Sequence, residues 1–353
     1  MVKKKIVLIG STNLNGVPAG GEEYKNQLLV KLFKCDDFKL SIVDTYHWSR
    51  RPEVFLQLFY YILIYKSDYI VVSASSNSVY KLLSVIKFIR PNKLKSIIYF
   101  VLGGFLPGAL QKEQFSITVY RGLHWIIVQG KQMRTLLNSL GLNNVIEIPN
   151  FKNTRIFLET SGNNHKNSRK LIFISTICKE KGVDLIFQAI SLLKVQNNKV
   201  VHFEIDFYGP IEKTYEKTFA DNLIKHSDVV KYCGYLDIMN NTQKSYSILE
   251  RYEALVFPTL YEGEGFPGIF IDAFICGLPI ITTNWHMNGE IIKNGINGLI
   301  LKNNSAESLL ISILKLLENP ELSKVISLNN KKLSSEFDMM DIYESKISLL
   351  FTK

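Results

Sequence analysis

The sequence predicts an α/β protein with two domains, each built on a doubly wound parallel sheet. Three observations predict this class. The 353 residues exceed what one ordinary core holds and suit two domains of about 150 residues each. Short Val- and Ile-rich segments alternate with helical patterns along the chain. A polar, turn-rich segment over 151–169 separates two such series and predicts a linker.

The first series predicts a domain over 1–150. Its strand candidates are short and mostly apolar on both faces, as buried parallel strands are. They are Lys5–Ile9, Lys39–Val43, Tyr69–Val72, Ser96–Val101, Trp125–Val128 and Val145–Ile148. Helical patterns such as Glu22–Phe33 and Ser78–Phe88 fit between them.

The second series predicts a domain over 170–335. The strand candidates are Lys170–Ser175, His202–Tyr208, Val229–Tyr232, Ala254–Phe257, Ile280–Thr282 and Gly298–Leu301. The helical patterns are Val183–Leu193, Tyr215–His226, Ala306–Leu317 and Glu336–Phe351. We expect a C-terminal helix over 336–353 to pack back toward the first domain. Such domains bind ligands at the carboxyl ends of their strands, so a cleft between the two domains is the expected site.

Composition excludes several classes. With 46% hydrophobic, 21% charged and 12% aromatic residues, the chain is neither disordered nor a collagen or disulfide scaffold. The four cysteines lie far apart, without a Cys-x-x-Cys pair or histidines at metal-ligand spacing. We therefore expect reduced thiols, no metal site and a cytoplasmic location. The apolar run Ile6–Gly10 is too short for a signal peptide.

The net charge of +10 belongs entirely to the first half. Residues 1–150 carry 19 Lys and Arg against 9 Asp and Glu, whereas the remainder carries 23 of each. A basic half predicts an anionic partner, such as a phosphorylated substrate or an anionic membrane surface. No helix-turn-helix, RNP-type or zinc-finger signature occurs, so no nucleic acid is expected. A charge that serves solubility alone is the alternative.

The longest apolar stretch, Val54–Tyr65, has 12 residues. A bilayer span needs about 20 residues, so no transmembrane segment is expected. A helix buried in the core is the favoured interpretation. The alternative is an interfacial helix that places its aromatic residues, with Arg50, Arg51 and Lys66 beside them, at a lipid boundary.

The loop after the first strand lacks the signatures of dinucleotide and P-loop chemistry. No Gly-x-Gly-x-x-Gly follows the strand, and no Gly-x4-Gly-Lys-[Ser/Thr] occurs in the chain. Gly20 and Gly21 instead precede a helix, where the backbone can approach a ligand and free N–H groups suit an anion. A plain loop before a helix is the alternative.

The segment 254–298 carries the most chemical information. It predicts a strand, an acidic glycine-rich loop with Glu264, a helix from about Pro267 that contains Asp272, and another strand. Between the two acids, Gly265 and Gly268 expose N–H groups at a helix N-terminus, which suits a phosphate. Two carboxylates around a phosphate cradle can hold hydroxyls at the two ends of a nucleotide sugar.

This segment resembles the glutamate-x7-glutamate motif of family 4 glycosyltransferases (glycosyl transferases group 1). These are retaining enzymes with two Rossmann-like domains that face a cleft, the GT-B architecture. Here the motif stands as Glu264-x7-Asp272. The further landmarks, in the order that the family has them, are Gly20-Gly21, Ile148-Pro149-Asn150, residues 174–184, residues 207–210 and residues 233–235. The resemblance covers nearly the whole chain.

The resemblance implies a role for each matching residue. Glu264 would bind hydroxyls of the transferred sugar, and Lys181 would neutralise the leaving diphosphate; these two are the expected catalytic residues. Asp272 would bind the donor ribose. The remaining expected donor-binding residues are Gly20, Gly21, Thr176, Lys179, Gly209, Phe266, Pro267, Gly268 and Ile269. The expected donor is a UDP- or GDP-sugar, with no cofactor and no metal.

Two departures from the family's pattern concern this site. An arginine is common near the position of Thr176, and Lys179 could supply its charge, but without bidentate geometry. A His-Gly-Gly is also common at a strand end, where this chain has Leu102-Gly103-Gly104. His47, His124 or a backbone group could replace that histidine, and the sequence does not choose among them.

The function that the resemblance implies is hexosyl transfer with retention, from a nucleotide sugar to a saccharide or polyprenyl-diphosphate-linked acceptor, in surface polysaccharide biosynthesis. The expected location is cytoplasmic, with peripheral attachment to the inner face of a membrane. Two alternatives share the fold. One is a catalytically weak sugar-nucleotide-binding protein, suggested by Leu102 and Thr176. The other is a sugar-nucleotide epimerase, which would need a further general acid–base pair.

Overall fold

The structure, a computed structural model, describes residues 3–14, 16, 18, 20–35, 38–155, 169–195 and 203–352. Contacts divide the chain into two compact units. The first comprises Met1–Asn150 and Met339–Lys353, and the second comprises Phe151–Asp338. Each unit contains a six-stranded parallel sheet. The predicted α/β class, with two Rossmann-like doubly wound sheets, is confirmed.

The first unit has the strand order β2-β1-β3-β4-β5-β6. The strands are β1 Lys5–Gly10, β2 Lys39–Asp44, β3 Tyr69–Val72, β4 Ile97–Phe100, β5 Trp125–Val128 and β6 Val145–Glu147. The order reverses between β1 and β3, and the carboxyl ends of such a pair form the usual ligand crevice of an open sheet. Gly10 ends β1 so close to β3 that a Cβ would lie 2.3 Å from the Ser73 carbonyl oxygen.

The helices of the first unit connect these strands. They are α1 Gly21–Cys35, α2 Glu53–Phe59, α3 Ser76–Ile89, α4 Phe105–Gln111, α5 Ile117–Arg121 and α6 Lys131–Ser139. Helix α1 buries Leu28, Leu29, Leu32 and Phe33, which cover the sheet. A π-turn, Tyr60–Ile64, extends α2, and 3₁₀ turns occupy Trp48–Arg50 and Pro91–Ser96.

The second unit has the strand order β12-β11-β10-β7-β8-β9. Its strands are β7 Lys170–Ile174, β8 Glu204–Tyr208, β9 Val230–Tyr232, β10 Ala254–Phe257, β11 Ile280–Thr282 and β12 Gly298–Ile300. Its helices are α7 Val183–Val195, α8 Glu216–Lys225, α9 Thr242–Leu249, α10 Gly268–Ile275, α11 Asn288–Ile291, α12 Ala306–Leu317 and α13 Pro320–Leu333. Because β10 and β7 are neighbours, the loops that follow them meet at one edge of the sheet.

The predicted linker over 151–169 differs from the structure in its first five residues. Phe151 and Thr154 are buried in the second unit. Thr154 donates its backbone N–H and its hydroxyl to the Asp338 carboxylate at 3.2 and 3.0 Å. These contacts tie the start of the second unit to its end. Residues 156–168 of the predicted linker lie outside the described residues.

The C-terminal helix predicted over 336–353 forms, but its predicted start is wrong, because Asp338 is extended. After the 3₁₀ turn Ser334–Phe337, a short α14 Met339–Ile342 continues without a break into a π-turn Tyr343–Ile347 and a 3₁₀ turn Ser348–Phe351. From Met339 onward it belongs to the first unit. Phe351 anchors it there, with ring centroids 5.5 Å from Phe33, 5.2 Å from Phe38 and 5.3 Å from Tyr69.

The favoured prediction for Val54–Tyr65, a helix buried in the core, is also wrong. Only Val54 and Ile62 of this stretch are buried. Phe55, Leu56 and Phe59 are 55%, 73% and 57% exposed. A helix that packs on one side of a sheet buries one stripe, and here the other face is apolar as well. Among the residues that the structure describes, no helix is long and apolar enough to cross a membrane.

Phe351→Ala should destabilise the first unit by about 3–5 kcal/mol, because the lost ring leaves a cavity among three aromatic residues. Urea denaturation measures the loss, and peptide-level hydrogen exchange should locate it in β1 to β3. The matched control is Leu349→Ala, since Leu349 is 58% exposed. Equal stability of the two variants would contradict the anchoring role of Phe351.

Candidate active site

An ion pair at the carboxyl edge of the second sheet joins the two predicted catalytic residues. Lys181 ends the 3₁₀ turn Lys179–Lys181, which follows β7, and Glu264 lies in the loop that follows β10. The Lys181 Nζ lies 2.7 Å from the Glu264 Oε2, and the side chains are only 14% and 9% exposed. The sequence placed these residues 83 positions apart, and the neighbouring strands bring them together.

Thr259 also holds the Glu264 carboxylate. Its hydroxyl donates to Oε2 at 2.8 Å, so that one oxygen accepts from both the threonine and the lysine. The loop closes on itself, since the Glu264 N–H donates to the Tyr261 carbonyl at 3.0 Å. Within the described ranges, no hydrogen bond to the other oxygen, Oε1, is recorded. That oxygen keeps its capacity to accept a hydrogen bond.

Aromatic rings and a close backbone approach fix the lysine. The Lys181 ammonium lies 4.6 Å from the centre of the Tyr261 ring and 5.7 Å from that of Phe257, which favours a cation. Gly182, with φ 75°, follows it in the left-handed region, and a Cβ there would lie 2.0 Å from the Pro258 carbonyl oxygen. Only glycine permits this approach of the two loops.

The N-terminus of α10 borders the same loop. Phe266 and Pro267 are buried, whereas Gly268 and Ile269 in the first helical turn are partly exposed. The Phe270 N–H already donates to the Pro267 carbonyl at 3.0 Å, and Pro267 has no N–H. The first N–H groups of a helix lack intrahelical acceptors and attract anions. Those of Gly268 and Ile269 can therefore donate hydrogen bonds to a phosphate oxygen.

Asp272 does not lie open to a ligand in this structure. It is 1% exposed and forms a buried ion pair with Lys152 through Oδ2. Its Oδ1 accepts the Tyr246 hydroxyl at 3.0 Å. The predicted contact with a donor ribose would require Lys152 or Tyr246 to release an oxygen.

The remaining predicted residues of the second unit occupy the loops after β7 and β8. Thr176 and Lys179 are exposed. Gly209 is buried at φ 134°, and a Cβ there would lie 1.9 Å from the Ser175 carbonyl oxygen. The Gly209 N–H donates to the Gly234 carbonyl at 2.8 Å, so its backbone donor is already used. Gly209 therefore serves the close packing of two loops.

In the first unit, Gly20 and Gly21 are exposed at the start of α1. A Cβ at Gly21 would meet nothing within 4 Å, so this unit by itself does not require a glycine there. Two acids follow: Glu23 accepts the Ser11 hydroxyl at 2.8 Å, and burial, with Glu23 nearby, raises the pKa of Glu22 to about 7. The predicted phosphate contact of the glycines stays a prediction.

The structure separates the two histidines considered in place of Leu102. His124 precedes β5, and its N–H donates to the carbonyl of Ile97, the first residue of β4. It therefore lies at the amino edge of the sheet, opposite to the usual ligand crevice. His47 follows the carboxyl end of β2, and Leu102 follows that of β4. Of the two, only His47 shares an edge with Leu102.

Sequence reasoning missed Thr259, Tyr261, Lys152 and Tyr246. Thr259 and Tyr261 lie in the segment 254–298, just after β10. Their position at a strand end was the signal that could have identified them as site residues. Lys152 carried no signal, because it fell in the segment predicted as a linker. Tyr246 lies on α9, 26 residues before its partner Asp272, and no spacing rule connects them.

One group of side chains near this site has the donor types of a metal centre. The ligand atoms of Cys178, Glu180 and Glu212 lie within 4.8 Å of one another. Burial raises the pKa of the Cys178 thiol, which disfavours the thiolate that a metal would need. We assign no metal to this group.

The fold and the site together define a two-domain α/β protein with a cation–carboxylate pair beside the N-terminus of a helix. The chain belongs to the family described as glycosyl transferases group 1, whose model matches residues 154–333. An uncharacterized glycosyltransferase of Methanocaldococcus jannaschii is 28% identical over 172 residues, which are 48% of this chain and 42% of that protein. A second one from that organism is 26% identical over 212 residues, 60% of this chain and 55% of that protein. The chain thus spans about half the length of these two relatives.

Other relatives cover more of the chain. The capsular polysaccharide biosynthesis glycosyltransferase CapM of Staphylococcus aureus is 23% identical over 274 residues, 76% of this chain and 69% of that protein. Anabaena HepE, solved with UDP and glucose, matches with a TM-score of 0.70 and 15% identity over 99% of this chain and 100% of that one. Sucrose-phosphate synthase of Thermosynechococcus elongatus matches with a TM-score of 0.73 and 14% identity over 98% of both chains. These structures support the GT-B class of fold.

The raised pKa of Glu22 makes the stability of the first unit depend on pH. The folded chain binds this proton more tightly than the unfolded chain, so the free energy of unfolding falls as pH rises from about 4.5 to about 7. Glu22→Gln should therefore stabilise the protein at pH 8 by about 1–3 kcal/mol and much less at pH 5. Urea denaturation at both pH values tests this, with Glu147→Gln as the control. An equal effect of Glu22→Gln at both pH values would refute it.

Proposed function

We propose that this protein is a retaining glycosyltransferase that moves a hexose from a UDP- or GDP-sugar to a saccharide or a polyprenyl-diphosphate-linked acceptor. The observation that carries the proposal is the Lys181–Glu264 pair, 2.7 Å apart beside the N-terminus of α10. Family membership supports glycosyl transfer, and the motif resemblance supports retention. The work of the site is to bind a sugar and a diphosphate together.

Each group of the site has a task in this reaction. The Lys181 ammonium neutralises negative charge on the leaving diphosphate, in surroundings with little water, where charge stabilisation is strong. The N–H groups of Gly268 and Ile269 bind the distal phosphate. Glu264 accepts a sugar hydroxyl through Oε1 while Thr259 and Lys181 keep Oε2 in place. No step requires a metal, and Asp272 with the ribose stays a prediction.

Three kinds of observation support the proposed donor and acceptor. HepE was solved with UDP and glucose, and a pneumococcal O-GlcNAc transferase of similar fold with UDP and GlcNAc. CapM and the amylovoran glycosyltransferase AmsK of Erwinia amylovora belong to polysaccharide biosynthesis. The excess of basic residues in the first unit suits an acceptor that carries a diphosphate. These observations favour surface polysaccharide assembly.

A catalytically weak sugar-nucleotide-binding protein is the second candidate, because Leu102 and Thr176 depart from the family's pattern. The Lys181–Glu264 pair would serve donor binding in either candidate, so it does not separate them. Turnover separates the two candidates. The first releases free UDP or GDP and forms a glycosylated product, and the second binds nucleotide without either. An epimerase would give a new nucleotide sugar and no free nucleotide.

Glu264→Gln should lower the rate of transfer by about 10²–10³, the usual loss when one preorganised polar group at a reacting centre is removed. Lys181→Ala should cost at least as much. A thermal-shift panel of nucleotide sugars first identifies the donor, since saturating ligand at 100 times its dissociation constant adds about 2.7 kcal/mol. Release of UDP or GDP then measures transfer.

The matched control for this prediction is Glu262→Gln in the same loop. The Glu262 side chain is 79% exposed, and its recorded partner is His286 at 3.7 Å. The Glu262→Gln variant should therefore transfer sugar at the wild-type rate. Circular dichroism and melting temperature check that Glu264→Gln stays folded. Normal transfer by a folded Glu264→Gln variant would remove this residue from the mechanism.

Lys179→Ala should weaken transfer more than Thr176→Ala does, if Lys179 replaces the family's arginine. Both residues are exposed in one loop, so neither change should unfold the protein. The loss from Lys179→Ala should be about tenfold, appear in KM for the donor, and shrink as salt screens the lysine. A larger loss from Thr176→Ala would overturn this account of the missing arginine.

A further inference from the structure

A large apolar surface lies open on the first unit. We call it the apolar platform and define it by Trp48, Phe55, Leu56, Phe59, Tyr60, Ile64, Val85, Phe88 and Ile89. Each is at least 45% exposed, and Phe88 reaches 90%. Single exposed apolar residues are ordinary on a protein surface, whereas a continuous patch of this kind marks an interaction site.

The platform extends over α2, the π-turn that follows it and the end of α3. The Trp48 and Phe55 rings lie 5.5 Å apart at one end. At the other end, the Arg90 guanidinium donates to the Leu63 carbonyl, which brings Ile64 beside the end of α3, where Phe88 and Ile89 lie. Val54, Ile62 and Ile86 are buried beneath it. The helices that carry the exposed side chains are therefore held to the first unit by buried side chains.

Basic residues surround the platform. Residues 48–96 contain eight Lys and Arg against two Asp and Glu, so most of the charge excess of the chain lies here. Both acids are engaged: Glu53 pairs with Arg51 at 2.8 Å, and Asp68 accepts the Lys5 N–H at 2.7 Å. Arg50, Lys66, Arg90 and Lys95 are exposed, as is Lys81 on α3.

We propose that the apolar platform docks the protein on a bilayer surface that contains anionic lipid. A surface with aromatic and aliphatic side chains at its centre and cations around them is typical of interfacial membrane attachment. A second copy of the chain suits it poorly, because it would bring two groups of unbalanced basic residues together. The proposal does not depend on glycosyl transfer, since it rests on the first unit alone.

The two parts of this surface contribute differently. The apolar side chains enter the boundary between headgroups and acyl chains, and their contribution is insensitive to salt. Each basic residue near an anionic leaflet adds about fivefold to the affinity, and this part falls off within about 10 Å at 0.1 M salt. Attachment is therefore peripheral and reversible.

Vesicle flotation of the full chain tests the proposal. At low salt the protein should float with phosphatidylcholine vesicles that contain about 30 mol% phosphatidylglycerol and should not float with phosphatidylcholine alone, and about 0.5 M NaCl should release most of it. The triple variant Leu56→Ser/Phe59→Ser/Phe88→Ser should lower the bound fraction at least tenfold. The variant Arg50→Gln/Lys66→Gln/Lys95→Gln should bind more weakly and depend less steeply on salt.

Matched controls lie on the second unit. Ile224→Ser/Ile311→Ser/Leu328→Ser changes side chains that are 76%, 65% and 53% exposed, and Lys213→Gln/Lys217→Gln/Lys324→Gln changes exposed lysines. Both should float like the wild type. The proposal fails if the wild type does not float, or if the platform variant floats as well as its control. It also fails if the platform variant instead abolishes a dimer seen by sedimentation velocity, or the binding of an acidic protein.

Discussion

The loops at the carboxyl edge of the second sheet are organised around the buried ion pair of Lys181 with Glu264. Removing two charged groups from water costs free energy unless they pair with each other and make further polar contacts. Here Thr259 shares the carboxylate oxygen, and the rings of Tyr261 and Phe257 face the ammonium. The pair can form only because β10 and β7 are neighbours in the sheet and Gly182 lets their loops touch. An incoming diphosphate would compete with Glu264 for the same lysine, so ligand binding and the arrangement of this loop are coupled.

The strand positions were predictable, and the reason is physical. Buried parallel strands are apolar on both faces, so each appears as a short Val- and Ile-rich run, and the structure places their ends within a residue or two of the predicted ones. The same argument failed for Val54–Tyr65. An apolar run shows that a segment avoids water, but not what covers it, and here α2 packs on the unit through Val54 and Ile62 only. The apolar residues on the other face of α2 therefore did not indicate burial in the core.

The candidate site was predictable where the motif supplies loop residues and unpredictable where distant residues enter. Glu264 and Lys181 follow strand ends that any doubly wound sheet brings to one edge. Lys152 reaches Asp272 from 120 residues away, within a segment whose polar composition resembles a linker. The polar composition of the whole segment concealed its buried start, where Phe151 and Thr154 pack. Long-range ion pairs of this kind leave no trace in local spacing.

The return of Met339–Lys353 to the first unit has a consequence for how the protein is made. A ribosome that has finished Asn150 has synthesised all six strands of the first sheet, but not Phe351, which packs against Phe33, Phe38 and Tyr69. At about 5–20 residues per second, the missing piece arrives roughly 10–40 s later. The second unit is continuous in the chain, so most of it is made in that interval. The nascent first unit therefore lacks one of its buried aromatic side chains until translation has almost ended.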